Sequence, residues 1–233
     1  MIIGFDVISD LNLTPDESFN WENKATSLYC IIAGNISNDI RTIHQTLTHL
    51  SRFYQGIFYI AGSLEYPDIN VIPVKSQELV KICRTIRNVA YLQNHIVIID
   101  GVAIIGSNGW YGNTIFKGDV IEEMTKDASR NEDLSYLSNS LEKLQLHLDV
   151  KAIIIVTNSV PGPELFFGED SENLLGQLPP QLCLVHDTEG KVSHWIYGSY
   201  EKIVDTTIHD INYINNSYYK RNPYWAKRIA ITV

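Results

Sequence analysis

Short, strongly apolar segments alternate with helix-like patterns through the first half of the chain, and this alternation most constrains its fold. Candidate strands run over 2–9, 27–33 and 56–60. Between the last two, apolar residues recur at spacings of three and four, which predicts an amphipathic helix capped at Ser37-Asn38. Strands that are buried between helices are typical of an α/β fold.

The rest of the chain also contains segments with strand-like and helix-like patterns. An Asp100-Gly101 pair between two apolar runs, 96–99 and 102–105, predicts a tight β-hairpin. The other predicted elements are a helix from Ser76, a helix from about Asn131 after a polar connector, a central strand over 151–156, a hairpin of 182–186 with 192–197, and a closing strand over 228–233.

Length and charge limit the organisation and the partners. The 233 residues predict a single domain over 1–233, with the helical segment 115–149 and the loop 161–180 as insertions. Because 27 acidic residues oppose 18 basic ones, the net charge of -9 disfavours direct binding to nucleic acid or an anionic membrane. We expect a cytoplasmic protein, since no apolar run is long enough to span a bilayer and no signal-peptide pattern is present.

The loops that follow the predicted strands are the places where chemistry is expected, because ligands in α/β sheets gather beyond the carboxyl ends of the strands. These loops are Ser9-Asp10-Leu11-Asn12-Leu13, Ala33-Gly34-Asn35-Ile36, Ala61-Gly62-Ser63-Leu64-Glu65-Tyr66, Thr157-Asn158-Ser159-Val160-Pro161 and Trp195-Ile196-Tyr197-Gly198-Ser199-Tyr200-Glu201. Their order and spacing resemble the calcineurin-like metallophosphoesterases, in particular the short bacterial and phage-encoded ones. The resemblance implies an α/β fold, a β-sandwich flanked by helices.

The resemblance also implies where two metal ions would bind, and most of those positions are altered. Asp10 is retained, but Asn12 stands where the family has a metal-binding His, and Asn35 where it has the bridging Asp. Ser63 replaces the ligand Asn, and Leu64 replaces the His that donates a proton near the leaving group. Asn158 replaces a later His, and Ser199 and Glu201 replace the final His pair. Glu65 corresponds to a structural Glu of the family.

These replacements argue against a pair of transition-metal ions. None of the seven histidines lies at a motif position, and Asn and Ser are weaker, neutral donors. We therefore expect no cofactor and no catalytic residue, with Asp10 as the one weak candidate for a metal ligand. The alternative is one hard divalent ion, Mg²⁺, Ca²⁺ or Mn²⁺, at an all-oxygen site. That site would draw on Asp10, Asn12, Asn35, Glu65, Asn158 and Glu201.

The sequence therefore favours a pseudoenzyme of the phosphoesterase fold that binds another protein as a scaffold or regulator. Its predicted partner-binding residues are aromatic side chains of one loop and of the C-terminal tail: Phe166, Phe167, Tyr218, Tyr219, Tyr224 and Trp225. One alternative is a divergent metal-dependent phosphoesterase with a reduced, one-metal site. Another is a regulatory sensor of phosphate or nucleotide.

Overall fold

The computed structural model describes residues 1–15, 17, 19–66, 71–110, 120–166, 177–218 and 224–233, with only the backbone for 120–123. Its helices are α1 (Ile40–Leu50), α2 (Ile72–Arg84) and α3 (Val120–Gln145). Its strands are β1 (Ile2–Ile8), β2 (Tyr29–Ala33), β3 (Gly56–Ile60), β4 (Val89–Tyr91), β5 (His95–Ile99), β6 (Val102–Ser107), β7 (Ala152–Thr157), β8 (Val192–Ile196), β9 (Val204–Ile208), β10 (Ile211–Asn215) and β11 (Lys227–Thr232).

The strands form two sheets in which parallel pairing dominates. The first has the order β11-β1-β2-β3-β4, and the second has the order β5-β6-β7-β8-β10-β9. Strands β1 to β4 are parallel to one another, and β6, β7, β8 and β10 are likewise parallel. Only β11, β5 and β9, at the edges of the sheets, pair antiparallel within the described part of the chain. Each parallel set therefore brings its carboxyl-terminal loops to a common edge.

Three apolar clusters hold four layers together. Side chains of both sheets, such as Val7 and Ile154, meet in the central cluster. Ile43 of α1 and Leu79 of α2 pack in a second cluster on the first sheet, and Leu141 of α3 packs in a third on the second sheet. The predicted α/β sandwich flanked by helices is confirmed.

The strongest local signals were read correctly. The predicted hairpin is formed by β5 and β6, which pair antiparallel from His95 with Gly106 to Ile99 with Val102. Its turn residues Asp100 and Gly101 both have positive φ, 47° and 88°, as a tight hairpin turn requires. The predicted strand at 56–60 has the observed bounds of β3, and the central strand at 151–156 is β7, shifted by one residue.

The starts of all three helices were misplaced. Helix α3 begins at Val120 and not near Asn131, because its first turns are made of good helix formers without an apolar stripe. Helix α2 begins at Ile72 and not at Ser76, since a proline fits the first helical turn. The side chain that caps α1 belongs to Asp39 and not to Ser37-Asn38.

The second half contains the larger errors. The predicted strand at 182–186 is a 3₁₀ helix, Pro180–His186, and β8 pairs parallel with β7 and β10, so the predicted second hairpin is wrong. The prolines at 179 and 180 favour a helical start over a strand that must donate hydrogen bonds. A real hairpin, β9 with β10, was missed because its turn, His209-Asp210, contains no glycine, although both residues have positive φ.

No helix in the described ranges combines the length and apolar character needed to cross a membrane. The interpretation of 115–149 and 161–180 as insertions into one domain stays a prediction, as does the cytoplasmic location. Much of the loop 161–180, from 167 to 176, lies outside the described residues.

Candidate functional site

Five polar side chains that follow five different strands meet at one edge of the sandwich. Hydrogen bonds join them into a single group, here called the loop cluster: Asp10, Asn35, Ser63, Asn158 and Ser199. All five stand at positions that the sequence singled out. Four of them are at least nine-tenths buried, so the cluster lies below the surface of the loops.

Asn35 is the centre of the loop cluster. Its Nδ2 donates to Asp10 Oδ1 at 2.8 Å and to Ser199 Oγ at 3.2 Å. Its Oδ1 accepts from the backbone N–H of Leu64 at 2.9 Å. The Asn35 amide therefore places its NH₂ donor beside the Asp10 carboxylate, and its oxygen accepts from the loop after β3.

Asn158 makes the matching connection from the second sheet. Its Oδ1 accepts from Ser199 Oγ at 2.6 Å and from the backbone N–H of Ser63 at 3.1 Å. Its Nδ2 donates to the carbonyl of Ala33 at 2.9 Å, at the end of β2. One side chain thus ties loops of both sheets together.

Several residues of these loops have a left-handed backbone conformation. Asp10, Asn12, Asn35 and Ser199 all have φ between 48° and 58°, in the left-handed region that residues other than glycine rarely adopt. Gly62 lies so close to the cluster that a Cβ there would overlap Asn35 Oδ1 and come within 2.6 Å of the Asn35 backbone nitrogen. The loops after β2 and β3 and the side chain of Asn158 are therefore packed against one another at Gly62, with no room for a side chain there.

Glu65 lies beneath the cluster and is fully buried. Its Oε2 accepts from the backbone N–H groups of Gly62 at 2.7 Å and Asn35 at 3.1 Å, and its Oε1 accepts from that of Ile36 at 2.6 Å and from Tyr59 Oη at 3.0 Å. Burial raises the pKa of this carboxyl, and the backbone hydrogen bonds oppose the shift. Both oxygens are engaged in joining the loops after β2 and β3, so Glu65 presents none of them to a ligand.

Only one of the two carboxylate oxygens of Asp10 accepts hydrogen bonds from the described residues. Its Oδ1 accepts from Asn35 and from the backbone N–H of Ser199 at 2.9 Å. Its Oδ2 is buried and has no hydrogen-bond partner among the described residues. Burial raises the pKa of Asp10 from its ordinary 3.8 to about 6, against the lowering effect of the hydrogen bonds from Asn35 and Ser199.

Three of the predicted positions do not join the cluster through their side chains. Asn12 is exposed and donates from Nδ2 to the carbonyl of Asp10 at 3.1 Å. Leu64 is half-buried and contributes only its backbone N–H. Glu201 is exposed and lies outside the hydrogen-bonded group.

The donor set does not fit the pair of metal ions that the family resemblance implies. In the part of the chain that the structure describes, no three His, Cys, Asp or Glu residues are grouped as a metal centre requires. Asp10 is the one carboxylate of the loop cluster, and its Oδ2 has no hydrogen-bond partner among the described residues. Asn35, at the position of the bridging Asp that the resemblance implies, turns its Nδ2 donor toward Asp10 Oδ1. Nitrogen of a neutral amide is not a metal ligand.

The predicted partner-binding aromatics have different surroundings. Tyr224 is 2% exposed and donates from its hydroxyl to the carbonyl of Asn216 at 2.6 Å, so it is a core residue, and its prediction as a surface anchor was wrong. Phe166 is half-buried, with its ring 6.0 Å from that of Tyr200.

The rest of the aromatic tail is more accessible. Tyr218 is half-buried, and its ring lies edge-on to that of Tyr224. Trp225 is 55% exposed, with the ammonium of Lys24 5.9 Å from its ring. Phe167 and Tyr219 lie outside the described residues.

Sequence reasoning missed two polar residues near the same edge. The Asn108 carbonyl accepts from the backbone N–H and the Oγ of Ser159, both at 3.0 Å. Asp133 of α3 is buried and accepts from the backbone N–H of Gly109 at 2.8 Å. The signal for the first was the Ser107-Asn108-Gly109 stretch directly after an apolar strand, whereas Asp133 sits in a polar helix with nothing to mark it.

Comparison with known proteins places the fold. No protein-family model matches the chain. It is 23% identical to Uncharacterized protein L509 of Acanthamoeba polyphaga mimivirus, over 82% of both chains. The phosphopantetheinyl hydrolase PptH from Mycobacterium tuberculosis superimposes with a TM-score of 0.69 at 16% identity, over 97% of this chain and 95% of that one. GAP50, the anchor in the inner membrane complex of Plasmodium, superimposes with a TM-score of 0.50 at 12% identity, over 91% of this chain and 70% of that one.

The fold is phosphoesterase-like. At these identities the solved structures define the architecture alone.

Proposed function

We propose that this protein is a non-catalytic relative of the phosphoesterases that acts as a protein-binding scaffold. The observation that carries the proposal is the loop cluster, in which neutral amides and hydroxyls bond one another. An amide in place of a carboxylate avoids the repulsion that clustered carboxylates suffer without a cation. The cluster therefore holds the five loops together by itself, with Asp10 as its one carboxylate.

The same groups are poorly suited to hydrolysis. Attack on a phosphoester near neutral pH requires a deprotonated water, which the related enzymes obtain from bound metal ions. The cluster offers one carboxylate of raised pKa and no imidazole, and Leu64 stands where the resemblance implies a proton donor. None of these groups can replace a metal-bound hydroxide.

A binding role agrees with two further features. Trp225 is a large, exposed aromatic of the kind that is enriched at protein interfaces. GAP50 has a similar fold and is named as the anchor in the inner membrane complex of Plasmodium, which supports a binding role for this architecture.

A second candidate function, a divergent phosphoesterase with one metal ion, rests on the free Asp10 Oδ2. A buried carboxylate oxygen without a donor is the acceptor that a single hard cation would use. The similarity in fold to a phosphopantetheinyl hydrolase adds to this candidate.

One assay separates the two candidates. The purified protein is incubated with Mn²⁺, Mg²⁺ or Ni²⁺ and with aryl phosphate mono- and diesters. We expect no turnover above that of Asp10→Asn. The matched control is Asp133→Asn, which changes an equally buried carboxylate outside the loop cluster. Metal-dependent turnover that is lost in Asp10→Asn and kept in Asp133→Asn would establish the enzyme and end the non-catalytic proposal.

A further inference from the structure

A groove of about 410 Å³ lies between the two helices that cover the first sheet. Four of its lining residues belong to α1, and the other three lie at the end of α2: Ile40, Arg41, His44 and Gln45, then Lys81, Ile82 and Thr85. His44 Nε2 and Thr85 Oγ1 are 3.1 Å apart, so a polar contact joins the two walls.

The floor of the groove is apolar. Ile40 and Ile82 are half-buried, and both pack against the core cluster beneath the helices. Their remaining surface faces the groove, where it can bury an apolar side chain of a ligand.

The rim of the groove is basic on a protein that is acidic elsewhere. Residues 40–87 carry six Lys or Arg and three Asp or Glu, whereas the rest of the chain carries 12 and 24. Arg41 and Lys81 are exposed, and neither forms a salt bridge among the described residues. The acidic side chains nearest to them along the chain have other partners. Asp39, which also feels the charge of Arg41, caps α1 through Thr42, and Glu78 pairs with Lys75 at 3.4 Å.

We propose that this groove docks an acidic, amphipathic segment of a partner protein. An apolar side chain of the segment would cover Ile40 and Ile82, and its carboxylates would face Arg41 and Lys81. The inference rests on the scaffold function proposed above and gives that function a partner chemistry.

Charge and shape together favour this occupant. A free phosphate would use the two cations but leave the isoleucine floor exposed to water. A lysine-rich segment would be repelled by the rim. Exposed ion pairs contribute little each and are screened by salt, so the apolar floor must supply much of the affinity, and the charges must supply the selectivity.

The test is fluorescence anisotropy with a labelled helical peptide that has leucine on one face and glutamate on the other. Two comparison peptides replace glutamate by lysine or leucine by serine. We expect only the first peptide to bind, and the double variant Arg41→Glu/Lys81→Glu to weaken its binding by about tenfold or more. The matched control, Arg52→Glu/Arg87→Glu, makes the same charge change at exposed positions outside the groove lining and should keep the affinity within about twofold.

Several results would overturn the proposal. They are no binding of the glutamate peptide, equal loss in the control double variant, equal binding of the serine peptide, and displacement by inorganic phosphate alone. Sedimentation that reveals self-association, abolished by Arg41→Glu/Lys81→Glu, would assign the groove to a second copy of the chain instead.

Circular dichroism and thermal unfolding of each variant establish that it is folded. The peptide assay contains no metal and no phosphoester, so its failure is distinguishable from that of the non-catalytic proposal. If the phosphoesterase assay shows turnover, peptide binding to the groove can still be measured and decided separately. If the peptide does not bind, the result of the phosphoesterase assay still stands.

Discussion

Asp10 and Asp133 are two carboxylates with the same burial but different surroundings. Each is 3% exposed, and burial raises the pKa of each to about 6. Asp133 accepts through Oδ1 from Gln93 Nε2 at 3.1 Å and Asn94 Nδ2 at 3.2 Å, and through Oδ2 from the Gly109 backbone. Asp10 accepts through Oδ1 alone within the described residues.

The comparison shows that burial raises the pKa of both carboxyls, whereas the hydrogen-bond donors around each one indicate what that carboxylate does. Asp133 ties α3 to the turn before β5 and to the loop after β6, and both of its oxygens serve that connection. Asp10 ties the loops through one oxygen, and its other oxygen has no donor in the described part of the chain. It lies at the edge where the family resemblance implies bound cations. The following predictions are ordered from the largest expected effect to the smallest.

Asn35→Asp should destabilise the protein by about 4 kcal/mol at pH 7, because it sets a second buried charge beside Asp10 and removes the donor to its Oδ1. The free energy of unfolding is measured by urea denaturation. The control Asn94→Asp makes the same change beside Asp133, where Asn94 is half-buried and the new charge is better solvated. Equal losses in the two variants would remove the distinction between the two regions.

Titration of Asp10 and of Asp133 should contribute to the pH dependence of the free energy of unfolding. A carboxyl whose pKa rises from 3.8 to about 6 on folding binds more protons in the folded state, so its contribution is complete below about pH 4 and is lost as the pH rises through about 6. Each group can change the free energy of unfolding by at most about 3 kcal/mol over that window. Glu65, whose pKa burial also raises, acts in the same direction.

The measurement is urea unfolding from pH 4 to pH 7 on the wild type, Asp10→Asn and Asp133→Asn. The loss of stability with rising pH should be shallower in each variant than in the wild type. If neither variant alters the slope, these carboxyls do not titrate in this window.

The substitutions Asp10→Asn and Asp133→Asn should change the stability of the folded protein at pH 7 in different directions. The first removes a buried charge while keeping an acceptor for Asn35 and Ser199, and it should be neutral or stabilising by about 1 kcal/mol. The second turns an NH₂ group toward N–H donors and should cost about 1 kcal/mol. Midpoints of thermal unfolding report both changes, and a larger cost for Asp10→Asn would mean that its Oδ2 has an essential partner.

Much of the fold was predictable because parallel strands buried on both faces are apolar throughout. Every residue of β7 is buried, and its run of isoleucines marks it in the sequence. Elements without such a pattern were not found. The first turns of α3 lack a regular apolar stripe, and the turn between β9 and β10 uses His209 and Asp210 where glycine or asparagine is the usual signal.

The sequence by itself determined which side chains follow the strands and how few carboxylates and histidines are among them, since identity and position along the chain are all that this requires. Only the tertiary structure decided which of them meet. Folding brings residues as distant as Asp10 and Ser199 into hydrogen-bond contact, leaves Glu201 in solvent, and buries Tyr224 while exposing its neighbour Trp225. Burial and the direction of a side chain depend on loop geometry and on packing between sheets, and neither has a local signature in the sequence.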